Sequence, residues 1–168
     1  MKIKRKLSVA EYITNSLFEL MKIKSYNEIS ISDITANAKV HRASFYRNFS
    51  SKEDIIHKWV KTTTNNFRIN TNIDYKKDNT IDFYTKLFTH LLKYKTETTL
   101  IYKADLFYLL KEEFDINLSI QGFNTFKSYF IAGGVFNVYY YWLINGCKES
   151  PQTIAQKLVD LNSKIADT

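Results

Sequence analysis

Apolar residues recur every three or four positions along most of the chain, which is the spacing of amphipathic α-helices. Near the N-terminus, Ile13, Leu17 and Leu20 follow this spacing and predict a first helix. Later apolar positions predict further helices as far as the C-terminus, with polar stretches between them. The predicted helices cover about residues 9–23, 30–38, 41–48, 51–70, 80–94, 96–118 with a break near Lys103, 124–145, and a last helix that begins at Ser150.

Several helix starts carry a capping box, in which Ser or Thr is followed three residues later by an acidic residue. Each box alone occurs often by chance, but three within one short region indicate a set of short, separately capped helices. Near the C-terminus, Gly146 occupies a helix stop and Pro151 a first helical turn. The predicted boxes are Ser8 with Glu11, Ser30 with Asp33, and Ser50 or Ser51 with Glu53 or Asp54.

The composition favours helices over sheets. The chain has 168 residues, 45% of them hydrophobic, but only four Gly and one Pro. Sheet proteins need turn residues more often than this. We therefore predict an all-α fold of about nine helices, with an N-terminal module of three short helices followed by a C-terminal helical bundle. The predicted domains are residues 1–50 and 51–168, and the polar stretch 70–80 is predicted to be a linker.

The single cysteine, Cys147, cannot form an internal disulfide, and no signal-like or membrane-spanning apolar run is present. A cytoplasmic location is therefore expected. The positive charge is concentrated at one end, since residues 1–61 carry a net charge of +6 and residues 62–168 a net charge of +1. This asymmetry is expected when one end meets a polyanion such as DNA. The alternative is that the basic segment only aids solubility.

The segment around residues 30–55 has the plan of a helix-turn-helix, with Lys39-Val40 as the turn. The second helix of such a motif places its N-terminal residues against base edges in the major groove. Here Arg42 suits guanine, because its guanidinium can donate two hydrogen bonds to one base. The other predicted base-facing residues are His41, Ala43 and Ser44. Predicted phosphate contacts are Tyr46, Arg47 and Lys52, together with the backbone N–H groups near Ser30 and Ser32.

The stretch "ISISDITANAKVHRASFYRNFSSKEDI" resembles the DNA-binding module of the TetR family of bacterial transcriptional regulators. The resemblance covers about residues 8–60 and rests on residues in matching order and spacing. They are Asp33-Ile34, Ala38 and Val40 beside the turn, Phe45-Tyr46, Phe49, and Ser51-Lys52-Glu53. Two positions depart from the family pattern, because Lys39 replaces a usual Gly and His41 replaces a usual small hydroxyl residue.

The segment "FIAGGVFNVYYYWLINGCKESPQTIAQKL", residues 130–158, is similar to the last two helices of one TetR subgroup. The resemblance implies an all-helical homodimer, whose last two helices pair with their copies in a four-helix bundle. It also implies that the middle helices enclose a ligand site. The expected interface residues are Gly133, Gly134, Tyr141, Ile154, Leu158, Leu161 and Ile165.

Two other interpretations of these residues stay open. The pair Gly133-Gly134 slightly favours an interface between helices of two copies, and the alternative is a kink or a close contact within one chain. An aromatic stripe at helical spacing is more often core than cavity wall. The expected effector-lining residues are Tyr102, Leu106, Phe126 and Phe130.

The leading hypothesis is a homodimeric, ligand-responsive repressor of the TetR type on a near-palindromic operator, with double-stranded DNA and a small apolar effector as partners. The alternative is an effector-free DNA-binding adaptor or coactivator whose C-terminal part docks another protein. A helical enzyme is a third hypothesis, but no nucleophile–base pair or phosphate loop supports it. The three His residues are scattered and no Cys pair exists, so neither a metal nor another cofactor is expected.

Overall fold

The structure, a computed structural model, describes residues 7–71, 81–120 and 126–166. All regular secondary structure within these ranges is helical, which confirms the predicted all-α fold. The α-helices are α1 (Val9–Met21), α2 (Ile31–Ala38), α3 (Arg42–Asn48), α4 (Lys52–Thr71), α5 (Ile81–Lys93), α6 (Lys95–Lys103), α7 (Tyr108–Ile120), α8 (Phe126–Ile144) and α9 (Pro151–Ala166), with a 3-10 helix at Tyr26–Glu28.

The predicted break near Lys103 is confirmed, since α6 ends there and α7 begins at Tyr108. The 3-10 helix was not predicted. Most of the predicted linker 70–80 lies outside the described residues. Between the predicted helices 96–118 and 124–145, residues 119 and 120 belong to α7, and residues 121–123 lie outside the described residues. No helix in the described ranges combines the length and hydropathy that a bilayer span requires.

The chain divides into two compact units, which are described separately. One contains Met1–Lys61 with Leu100–Leu109, and the other contains Thr62–Thr99 with Leu110–Thr168. Whether residues 1–50 and 51–168 are the functional domains stays a prediction.

The first unit is built on α1, which packs against α2 and α3. Ile13, Leu17 and Phe45 are fully buried there. A buried polar link joins α1 to α2, because the Ser16 hydroxyl donates to the Ile34 carbonyl at 2.8 Å. Burial of these apolar side chains stabilises the packing of α2 and α3 against α1 by roughly 1.5–3 kcal/mol for each side chain.

The turn between α2 and α3 forms at the predicted position. Lys39 adopts the left-handed conformation, with φ +56° and ψ +44°. Its N–H donates to the Ala36 carbonyl at 3.1 Å, and the Val40 N–H donates to the Thr35 carbonyl at 3.0 Å. This pair of hydrogen bonds is the Schellman arrangement that ends a helix at a left-handed residue. The chain therefore places a lysine where the family resemblance expects a glycine.

The second unit is held by packing between α5 and α9 and by an aromatic contact to α8. Phe88 on α5 meets Trp142 on α8 edge to face, with ring centroids 5.5 Å apart. The Trp142 indole N–H donates to the Glu149 carbonyl at 3.1 Å, which ties the end of α8 to the start of α9. Gly146 has φ +76° in the turn between these helices, in keeping with its predicted role as a helix stop.

Candidate nucleic-acid interface

Helix α3 has one buried anchor and an outward polar face. The Phe45 side chain is fully buried and holds the helix on the first unit. The outward face is formed by His41, Arg42, Ala43, Ser44, Tyr46 and Arg47, all exposed except the half-buried Ser44. We call this set the reading face. Its two arginines and small residues are suited to close approach to DNA, and their contacts with DNA stay predictions.

Two polar networks organise the reading face. The Arg42 guanidinium donates from Nη1 to the Ser32 hydroxyl and from Nη2 to the Tyr46 hydroxyl, each at 3.0 Å. Its central carbon also lies 5.6 Å from the Tyr46 ring centroid. Arg47 Nη2 donates to the Ser44 hydroxyl at 2.9 Å. Five predicted DNA contacts are therefore brought together in two hydrogen-bonded groups.

His41 precedes α3 in an extended conformation, and its side chain makes no capping hydrogen bond. Its carbonyl accepts from the Ser44 N–H at 2.8 Å and so begins the helix. The imidazole is exposed. The side chain is thus not used for capping, in line with the departure of this position from the family's hydroxyl residue.

The start of α2 is capped by the predicted box. The Ser30 N–H donates to the Asp33 carboxylate at 2.8 Å, and the Asp33 N–H donates to the Ser30 hydroxyl at 3.1 Å. The Lys24 ammonium lies 2.8 Å from the same carboxylate and, with the Ser30 hydrogen bonds, holds the pKa of Asp33 well below its usual range. The Ser30 N–H therefore already has a partner within the chain, and a phosphate contact by the N–H groups near Ser30 and Ser32 stays a prediction.

Lys52 turns toward its own unit. Its Nζ donates to the Tyr26 carbonyl at 2.8 Å and lies 4.4 Å from the Tyr26 ring centroid. Burial, with a smaller contribution from the Lys24 charge, lowers the pKa of Lys52. The predicted phosphate contact of Lys52 therefore competes with a structural role that the sequence did not suggest.

Tyr26 is a partner of Lys52 that the sequence pattern did not predict. Burial raises the pKa of Tyr26 to about 12, and electrostatic interactions with Glu53 and Tyr108 add to this effect. Tyr108 donates to Glu53, so the start of α7 is tied to the first turn of α4. A signal was available, since Ser25 and Glu28 form a capping box that starts the 3-10 helix.

The predicted effector-lining residues are not collected into one unit. Tyr102 and Leu106 belong to the first unit, whereas Phe126 and Phe130 belong to the second. Leu106 is buried, but Phe126 is 89% exposed and Phe130 is 57% exposed. These two rings are thus surface residues of a single chain rather than core, and an effector cavity stays a prediction.

The predicted interface residues divide into two groups. Ile154 and Leu158 are each 4% exposed in a single chain, so the expectation that they meet a second copy is corrected. They lie on the side of α9 that is buried in the unit's own core. Gly134, Tyr141 and Leu161 are exposed and Gly133 is half-buried, whereas the Ile165 side chain lies outside the described residues.

Residues 13–58 match the sequence profile described as "Bacterial regulatory proteins, tetR family", and residues 78–164 match the profile described as "Transcriptional regulator C-terminal region". One curated relative is the HTH-type dhaKLM operon transcriptional activator DhaS of Lactococcus lactis subsp. lactis. It is 32% identical over 73 residues, which span 44% of this chain but only 38% of that protein.

Two solved structures share the fold. The dihydroxyacetone kinase operon activator DhaS has a TM-score of 0.59 at 22% identity, covering 93% of this chain and 94% of that one. The fatty acid degradation regulator FadR from Bacillus halodurans has a TM-score of 0.57 at 16% identity, covering 94% of this chain and 96% of that one. At these identities the likeness shows the fold alone.

Proposed function

Because the chain belongs to the TetR family of bacterial transcriptional regulators, we propose that it acts as a homodimer on a near-palindromic operator, under the control of a small effector. DNA-binding regulation is the family's function. The dimer, the effector and the direction of regulation are our proposal for this chain.

The observation that carries the proposal is the reading face. It presents Arg42 and Arg47 on a helix that Phe45 anchors from behind. A guanidinium at the N-terminal end of such a helix can donate twice to one guanine, which is worth about 1–3 kcal/mol of discrimination against other bases. The proposed operator therefore contains a guanine in each half-site.

The proposed dimer rests on the outward face of α8. Exposed residues repeat there at intervals of three and four, as in a helix that pairs with another helix. A Cβ added at Gly133 or Gly134 would meet nothing within 4 Å in the single chain, so no close contact within it needs these glycines. A partner helix could approach them closely. We call this set the α8 stripe: Phe126, Phe130, Gly134, Asn137, Tyr141 and Ile144.

We propose repression as the basic action, because a dimer that covers an operator excludes other proteins from the same DNA. An effector that reverses occupancy from mostly bound to mostly free must prefer the non-binding form by about 5 kcal/mol. The proposed effector would bind the second unit. Because Phe126 and Phe130 also lie on the α8 stripe, an effector that contacts them would bind beside the proposed dimer interface.

Activation is a second candidate, and one observation favours it. The DhaS relatives are both described as operon activators, one of them at 32% identity over 73 residues. In this alternative, an effector is not needed, and exposed rings of the second unit contact another protein. Transcription in vitro from a promoter carrying the bound sequence separates the two, because added protein lowers the transcript in one and raises it in the other.

The primary experiment enriches duplexes from a randomised DNA pool with the wild-type protein, then compares their affinity with that of scrambled duplexes. Arg42→Ala should reduce this discrimination by about 1–3 kcal/mol. Arg68→Ala, which changes an arginine of the second unit, is the matched control and should leave it unchanged. If the wild type enriched no sequence, or bound every duplex equally, the proposed function would be wrong.

A further inference from the structure

Arg42 is held by two hydroxyl groups from two different helices. Ser32 lies in the first turn of α2, and Tyr46 lies one turn after Arg42 on α3. Both hydroxyls accept from the terminal nitrogens of the guanidinium at 3.0 Å. The guanidinium carbon also lies 5.6 Å from the Tyr46 ring centroid, so a cation–π interaction adds to the two hydrogen bonds.

This arrangement leaves Arg42 able to bind DNA. A guanidinium has five N–H donors, of which the two hydroxyls use two, so three remain. The long side chain would otherwise lose rotamer freedom when it docks on a base. A guanidinium that is already oriented by Ser32 and Tyr46 loses less of that freedom on binding.

The geometry points to Ser32 and Tyr46 as positioning residues that set the sequence specificity of Arg42, an inference that rests on the proposed function. The sequence predicts a phosphate contact for Tyr46 and for the backbone N–H groups near Ser32, and such contacts would strengthen binding to every sequence alike. Ser32→Ala keeps the backbone N–H and removes only the hydroxyl. As positioning residues, Ser32 and Tyr46 act through Arg42 and strengthen binding mainly to the sequence that Arg42 reads. The two roles therefore differ in a measurable way.

The test is a double-mutant cycle on the ratio of affinities for enriched and scrambled duplexes. Tyr46→Phe keeps the ring but removes the hydroxyl, and Ser32→Ala removes the other acceptor. Each should lower the ratio by roughly 2- to 10-fold, the usual effect of one hydrogen bond. In the Arg42→Ala background, neither change should alter the ratio further, because the side chain that they position is gone.

Tyr12→Phe is the matched control, since it removes the hydroxyl of another exposed tyrosine in the same unit. It should leave the ratio unchanged. Circular dichroism and the unfolding midpoint of each variant show whether α3 remains folded, and Ser32→Ala gives an independent reading if Tyr46→Phe disturbs the helix.

Three results would overturn the inference while leaving the proposed function intact. In the first, Tyr46→Phe and Ser32→Ala weaken binding to the enriched and the scrambled duplexes equally. In the second, they lower the ratio of affinities as much in the Arg42→Ala background as in the wild type. In the third, they tighten binding to DNA. The last result would show that the hydroxyls compete with DNA for the guanidinium. A wild type without any sequence preference would instead overturn the proposed function itself.

Discussion

At the scale of single residues, Lys39 carries a conformational cost that can be removed. Its φ of +56° costs a residue with a Cβ about 1–2 kcal/mol. Glycine avoids this cost but loses about 0.5–1 kcal/mol more entropy on folding. Lys39→Gly should therefore raise the free energy of unfolding by about 0.5–1 kcal/mol in urea titrations. Lys39→Ala keeps the Cβ and should bring no gain. Equal stability of the two variants would show that the strain at this turn does not exceed the entropy cost of glycine.

Residue roles that depend on neighbours in sequence were predictable, whereas those that depend on helix crossing were not. The turn at Lys39 and the box of Ser30 with Asp33 follow from local pattern, and the structure has both. The Arg42–Tyr46 pair is four residues apart on one helix, so its contact was open to prediction. The Ser32–Arg42 hydrogen bond joins two helices, and its geometry depends on the packing of both against α1.

At the scale of secondary-structure elements, Lys52 links the start of α4 to the 3-10 helix. The Lys52 ammonium donates to the Tyr26 carbonyl at 2.8 Å. Lys52→Met keeps most of the side-chain length but removes this hydrogen bond, so the free energy of unfolding should fall by about 1 kcal/mol. Lys61→Met, at an exposed position of α4, is the matched control and should change stability little.

The same variant tests the role that the sequence predicted for Lys52. If the ammonium binds a DNA phosphate, Lys52→Met should reduce the salt dependence of DNA binding by roughly one unit of slope. An unchanged slope with lower stability would make Lys52 purely structural. A lower slope with unchanged stability would mean that the ammonium binds a phosphate and that its hydrogen bond to Tyr26 contributes little to folding.

Helix positions could largely be predicted from the sequence, because capping residues and the spacing of apolar residues are local signals. The predicted range 96–118 with its break near Lys103 corresponds to α6 and α7, the predicted helix 124–145 corresponds to α8, and α9 begins at Pro151, next to the predicted start at Ser150. The 3-10 helix was missed, since three residues are too few to show an apolar period. Its Ser25–Glu28 box has the same spacing as the predicted boxes at Ser8 and Ser30. A capping pattern therefore indicates a helix start even where no amphipathic stripe follows.

At the scale of the whole molecule, an apolar stripe in the sequence does not reveal what covers it. Ile154, Leu158 and Leu161 follow one helical spacing on α9. The first two are buried against their own unit, whereas Leu161 is 51% exposed. Sequence periodicity identifies the apolar side of a helix, but the choice between its own chain and a second copy depends on how the helices pack. Changing Leu158 would thus damage the core and could not test the dimer.

The dimer is better tested on the α8 stripe, where substitutions leave the single-chain core intact. Tyr141 is 62% exposed and Ile144 is 47% exposed, one turn apart. Tyr141→Glu with Ile144→Glu would place four carboxylates across a two-fold axis, and burying unpaired like charges there is strongly unfavourable. We expect a folded monomer by light scattering. DNA affinity should also fall, because two half-sites are then no longer bound by one assembly.

Ile116→Glu on α7, also at 47% exposure, is the matched control and should remain dimeric. A dimeric double mutant would place the interface elsewhere and remove the basis for a near-palindromic operator.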